Sequence, residues 1–329
     1  MHSPAVFCFI ACIFCYAQSA LAQDSERLLE EMRRCPANEA DLRISWDLQV
    51  FVGATNFENP PAPGSDPFGV PTTALKDFSA NASGNELLLR KNDRRIRFFE
   101  TTVVHRKKEA EQKLLLHNMA LVGGVATTRM EQFAQGSVTP GKDSLDLYDP
   151  GIQAMLLNYR STKNDVYSDL VDKKSKVIAA DALWAGRTAI AVDEGPRKRT
   201  LYFDAGAGYR FLGFERKSER RNEVHQLEVY FDKDTETGLS PIRRIEYRLR
   251  DVEDKLLREN LYENISTTLV DHISDVDLHI DFPVGYLVFR PRDGGKKHLS
   301  WVVNENKELE LLTDANRDKL HPRVSRPGD

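Results

Sequence analysis

The chain is short of cysteine where cysteine would matter. Of its four cysteines, Cys8, Cys12 and Cys15 crowd into the first fifteen residues, and only Cys35 lies beyond them. The early three fall in a segment that reads as a removable leader, so the CxxC spacing of Cys12-Ile13-Phe14-Cys15 carries no redox role. A mature chain with one thiol has no internal disulfide, and a sizeable apolar core must hold it together. An apolar run long enough to cross a membrane is also missing. Ala5 to Ala17 is the relevant stretch, and its 13 residues fall short of the roughly 20 that a bilayer needs. It ends in Ala20-Leu21-Ala22, the small-x-small pattern of a cleavage site, although the segment before it holds no Lys or Arg. An excess of either charge is lacking too. With 46 basic and 50 acidic side chains the formal charge is −4, which gives no basic footprint for nucleic acid or for an anionic membrane. No GxSxG elbow, HExxH pair or Walker loop occurs. Ser, His and Asp side chains are plentiful but have no telling spacing, so no catalytic residue, no metal ligand and no cofactor is assigned.

What is present is period-two alternation. After a short helix over Asp24 to Arg34, with Leu28, Leu29 and Met32 as its stripe and Pro36 as its stop, "LRISWDLQVFV" puts Ile44, Trp46, Leu48, Val50 and Val52 on one face. That is a half-buried strand. Gly53 to Asn85, with Pro60, Pro61, Pro63, Pro67 and Pro71, breaks the pattern and reads as a long loop, either disordered or structural, or else a lid. Strand-like runs resume at Arg94–Arg106, Gln112–Val122 and Val125–Phe133, with Gly123-Gly124 as a hairpin turn. Asp149 and Pro150 then open a helix in which Ile152, Met155, Leu156 and Tyr159 recur at helical spacing. From Val177 to Leu311 short strands joined by Gly-, Asp- and Lys-rich turns point to an antiparallel meander.

Three stretches invite a sharper reading. In "TLYFDAGAGYRF", Gly206 and Gly208 resemble part of a phosphate loop, but no helix-spaced segment follows, so positive-φ turn glycines are the better account. In "SDVDLHIDF" a strand over Val276–Phe282 would set Asp275, Asp277, His279 and Asp281 in a row. Such a row suits a divalent cation only if a second strand adds ligands, and the plainer reading is a solvated strand face. Arg244, Glu246, Arg248 and Arg250 share one face of a strand, with charges of both signs interleaved, and read as solvated. The apolar faces say more. Trp46, Leu48, Val50 and Val52 form one; Leu227, Val229 and Phe231 form another; Ile245, Tyr247 and Leu249 form a third. A sheet with such faces must cover them with helices, a second sheet or a ligand, and the sequence offers few helices.

These features, with Tyr148-Asp149-Pro150, Gln153 and the run Phe282-Pro283-x-Gly285-x-x-Val288, resemble the LolA/LolB-like superfamily of bacterial periplasmic proteins, especially large secreted members from planctomycete-type bacteria. The resemblance spans roughly Leu42 to Leu312. It implies a mainly β (α+β) fold, a large curved antiparallel sheet forming a half-open β-barrel with a few helices over its concave face. It divides the chain into a signal peptide (1–22), an N-terminal helical segment (23–41), a β domain (42–312) carrying the Pro-rich insertion (53–85), and a polar tail (313–329). It implies an exported, non-enzymatic binding protein for a lipid, acyl chain or lipoprotein, with no transmembrane segment in the mature chain; the alternatives are an envelope protein-interaction or sensor module and, behind it, a hydrolase or metal-dependent enzyme around His279. Trp46, Leu48, Val50 and Val52 are the residues expected to line the apolar face.

Overall fold

The computed structural model describes residues 21–53, 77–106, 109–140, 149–163, 165–206, 209–219, 221–233, 239–291, 298–322 and 324. In chain order the helices are α1 (21–34), α2 (Pro150–Tyr159), α3 (Asp165–Val171) and α4 (Asp275–Leu278). The strands are β1 (Leu42–Val52), β2 (Phe78–Arg90), β3 (Asp93–Arg106), β4 (Glu109–Val122), β5 (Val125–Met130), β6 (Gln135–Pro140), β7 (Ser175–Trp184) and β8 (Arg187–Glu194). They continue as β9 (Arg199–Asp204), β10 (Phe211–Ser218), β11 (Glu223–Phe231), β12 (Ile242–Asp251), β13 (Leu256–Leu269), β14 (Leu287–Pro291), β15 (His298–Val303) and β16 (Leu309–Leu311). The expected mainly β architecture is therefore what the chain adopts. Its described residues divide into two compact units, one within Met1–Asn38 and Pro150–Leu256, the other within Glu39–Asp149 and Leu257–Asp329.

In the first unit six strands pair antiparallel in the order β12-β11-β10-β9-β8-β7. Each neighbour in the sheet is a neighbour in sequence, the meander that short polar turns dictate. Period two puts Leu201 and Phe203 of β9, Leu227 and Val229 of β11, and Ile245 of β12 in the core. Helix α2 starts at Pro150 as its residues predict, and Ile152, Met155, Leu156 and Tyr159 are buried. It is not amphipathic, however: Ala154, Leu157 and Asn158 are buried as well. Asn158 can sit there because its amide takes the place of a strand, accepting from the Phe211 backbone N–H at 2.9 Å and donating to the Phe211 carbonyl at 3.3 Å. Helix α1 is anchored by buried Leu28 and Met32. Cys35, a free thiol among the described residues, donates to the Asn158 carbonyl at 3.4 Å, and burial pushes its pKa up.

The β9–β10 hairpin corrects one detail. Gly206 does not take a positive φ; its N–H donates instead to the Asp204 side chain at 2.8 Å, and Gly208 lies outside the described residues. The glycine that β10 cannot replace is Gly213. Its φ is 151°, and a Cβ would stand 2.0 Å from the Leu227 carbonyl oxygen.

In the second unit ten strands follow the order β16-β15-β14-β6-β5-β4-β3-β2-β1-β13, among the described residues. The pairings are antiparallel except β6 with β14, which run parallel. Gly123 and Gly124 turn the β4–β5 hairpin at φ 56° and 77°, as expected. The loop drawn over Gly53–Asn85 is too long. β2 begins at Phe78, and its small residues Ala80 and Ala82 lie opposite Val50 and Leu48. Residues 54–76, which hold the prolines, lie outside the described residues, as do residues 1–20 and with them most of the expected leader. β6 was hidden behind a short 3-10 turn at Glu131–Phe133.

The expected strand over Val276–Phe282 is also overturned. Asp275–Leu278 is helical, because Ser274 and Asp277 form a capping box: the Ser274 N–H donates to Asp277 at 2.9 Å and the Asp277 N–H to Ser274 at 3.3 Å. Leu278 is buried against Leu88 and Ile273. Asp275, Asp277, His279 and Asp281 therefore share no strand face. His279 and Asp281 form an exposed pair at 3.0 Å, and no group of three metal-binding side chains occurs among the described residues. Gly285 of the Phe282-Pro283-x-Gly285 run has a physical role, a turn at φ 83° that brings Val288 into the core.

Candidate functional site

The four side chains expected to line an apolar face do share one. Directly opposed residues of paired strands point to the same side. Leu48 faces Ala82 on one flank and Tyr262 on the other, Val50 faces Ala80 and Asn260, and Val52 faces Phe78 and Arg258. Farther across, Ile44 faces Leu87, Leu87 faces Ile96, and Ile96 faces Met119. The same parity brings in Phe98 opposite His117, and Glu100 opposite Leu115.

Burial grades along this face. Trp46, Leu48 and Val50 are only 3%, 2% and 4% exposed. At the end where β1 stops, Val52, Phe78, Ala80, Glu100 and Arg258 are all half-buried. Exposure thus rises along the face, from a sealed end at Trp46 to a partly solvent-exposed end, its mouth, at Val52 and Arg258.

A row of polar side chains on β13 runs beside the apolar row of β1. The Arg258 Nε donates to the Asn260 Oδ1 at 3.0 Å, the Asn260 Nδ2 donates to the Tyr262 hydroxyl at 3.2 Å, and that hydroxyl donates to the Asp149 Oδ2 at 3.0 Å. The three bonds run in one direction, from Arg258 to Asp149. Asn260, Tyr262 and Asp149 are 1%, 0% and 5% exposed, so the relay is what makes their burial tolerable. Burial and the neighbouring Asp149 charge lift the Tyr262 phenol far above its ordinary range, which keeps it a donor. Arg258 ends the relay. Among the described residues no hydrogen bond or ion pair reaches its two terminal nitrogens.

On the other flank the His117 Nε2 lies 3.5 Å from Glu100 and its ring stacks on Phe98 at 5.2 Å. Burial lowers the His117 pKa; burial, with Asp149, raises that of Glu100 against a smaller pull from Arg258. Both shifts act against the charged forms, so burial weakens this contact as an ion pair despite its distance. Sequence reasoning found the β1 row and missed both flanks. Arg258, Asn260 and Tyr262 carry the signal that would have found them: three polar residues of one parity beside a strand that must face inward.

No family model matches the chain, and no curated protein matches it. Among solved structures it is similar to a crystal structure described as "putative outer membrane lipoprotein-sorting protein domain from Vibrio parahaemolyticus", with 8% identity, a TM-score of 0.39, and coverage of 78% of this chain and 97% of that chain. Among the described residues no helix is long and apolar enough to cross a membrane.

Proposed function

We propose that this is an exported, non-enzymatic protein that binds one amphiphile, a lipid or acyl chain, on the β1 face of the second unit. The observation that carries the reading is the grading of that face, from sealed apolar residues at Trp46 to a half-buried polar mouth at Val52 and Arg258. An acyl chain buried there gains about 0.8 kcal/mol per CH₂, against the cost of association and of displacing what already packs on Trp46. The leader at residues 1–22 would deliver the chain to the cell envelope, and the mature protein would begin at Gln23, which N-terminal sequencing of exported material checks.

The test uses Trp46 as reporter. A bromine-labelled fatty acid should quench the wild type, and Trp46→Phe should lose most of that quenching while Trp184 and Trp301 remain. Solvent extraction and mass spectrometry of the protein purified from its envelope should yield one amphiphile per chain. An unquenched Trp46 together with a lipid-free extract overturns the reading.

One observation favours a protein partner instead. Among the described residues β7 is an edge strand of its sheet, and it exposes Leu183 (77%) and Ile178, the kind of edge that another chain can extend. Capture of a stoichiometric envelope protein that Leu183→Lys abolishes, with no lipid in the extract, would favour that reading.

A further inference from the structure

Resting on the amphiphile reading, we infer that the ligand's head is anionic and that Arg258 is the residue that holds it. The guanidinium is the end point of a directed relay. Asp149 fixes the Tyr262 hydroxyl, the hydroxyl fixes the Asn260 amide, and Asn260 takes the Nε proton of Arg258. Among the described residues this leaves the two terminal amino groups of Arg258 without a hydrogen bond or ion pair, with the charge of Glu100 felt nearby, in a fork geometry that suits two oxygens of a carboxylate or phosphate. Three buried polar residues spent on orienting one half-buried arginine is more than an ordinary surface cation receives.

Position supports the assignment. Arg258 lies opposite Val52 at the mouth, so a head held there sends its chain inward over Val50, Leu48 and Trp46. Two acidic groups belong to the same face. Asp149 is bonded to Tyr262, four residues along β13 from Arg258, which is about 13 Å of strand. Glu100 is in contact with His117 on β4 and makes no ion pair with Arg258 among the described residues. Neither carboxylate occupies the fork. Asn260 and Tyr262 act as positioning residues and Arg258 as the binding one.

The experiment compares ligands of one chain length and different heads: laurate, dodecyl phosphate, dodecanol and dodecyltrimethylammonium, each displacing the bromine-labelled fatty acid from Trp46. Laurate and dodecyl phosphate should bind about tenfold or more tighter than dodecanol, the effect of one charge-assisted contact. Arg258→Met keeps the length of the stem and should erase that preference; Arg258→Lys should keep part of it. Equal or tighter binding of dodecanol or the trimethylammonium compound to the wild type overturns the inference while leaving the amphiphile reading intact, as does an unchanged preference in a folded Arg258→Met protein. Competition by acetate or inorganic phosphate at the concentrations of the lipids would mean a site for free anions, and overturns it as well. If no head group at any concentration relieves quenching because none occurs, the reading beneath it fails too.

Discussion

The two units bury charge in opposite ways. In the first, Glu194 is fully enclosed, and Arg197 and Arg199 both bind its carboxylate. Arg197 also donates to Asp165 at 2.5 Å and Arg199 to Gln153 at 3.0 Å. The set closes on itself and ties the β8–β9 turn to α2 and α3. In the second unit the relay from Asp149 has one closed end and one open end, at Arg258. A closed set has no chemistry left to offer and serves the fold; an open one has donors to spare. The comparison predicts which substitutions damage stability and which damage binding.

The largest stability loss is expected at the closed set. Glu194→Ala leaves two arginines facing a cavity, and breaking a buried pair by removing one partner costs about 3–5 kcal/mol. Urea denaturation monitored by circular dichroism would measure it, and a loss under about 1 kcal/mol would dissolve the distinction between the units. Tyr262→Phe should follow at about 1–3 kcal/mol, because it removes one buried hydrogen-bond partner from the Asp149 carboxylate and one from the Asn260 amide. Arg258→Met should cost about 1 kcal/mol or less, since it removes one half-buried hydrogen bond and keeps an apolar stem, yet it should change head-group selectivity more than either. Should Glu194→Ala alter that selectivity and Arg258→Met not, the roles assigned to the two units are reversed.

Alternation was legible because it is a local property: the β1 row, the first-unit meander, the Gly123-Gly124 turn and the start of α2 at Pro150 all follow from residues a few positions apart. The failures share a cause. β2 escaped because only the small Ala80 and Ala82 alternate with Ser79, Asn81 and Ser83; the wide β1 side chains opposite them supply the bulk, so the signal resides in the partner strand. "SDVDLHIDF" alternates well and still forms a helix, since the capping box of Ser274 and Asp277 outweighs a period-two pattern only nine residues long. At the site, the four β1 residues were found by parity, whereas Arg258, Asn260 and Tyr262 were not. Their meaning depends on the register of β13 against β1 and on Asp149, a residue 113 positions from Tyr262. No window along the chain contains both.

The smallest expected effect tests the comparison through two histidines. His117 in the second unit and His225 in the first both have lowered pKa values, but for different reasons. Burial alone lowers His117; burial comes first for His225 as well, followed by the charges of Arg216 and Arg221. Tyr247 shares a 2.9 Å hydrogen bond with the His225 Nδ1, and Glu223 lies 3.6 Å from its Nε2. In each case the folded state resists the proton that the unfolded state accepts, so the stabilising contribution is complete above the unfolded value near 6.5 and is lost as pH falls through the window below it. Glu100 works in the other direction: its raised pKa takes stability away as pH climbs through the window above 4.5. His117→Gln should therefore reduce the stability lost between pH 7 and pH 5. Salt separates the two causes. Raising ionic strength from about 0.05 to 0.5 M shortens the Debye length severalfold and screens Arg216 and Arg221, while desolvation of a buried ring is untouched. A nuclear magnetic resonance titration, assigned with His117→Gln and His225→Gln, should show the His225 pKa moving up with salt and that of His117 staying in place. Equal movement of both would mean that mobile charges reach the Phe98–His117 stack, and the β1 face would then be open to water along a length where its neighbours Trp46 and Leu48 are sealed.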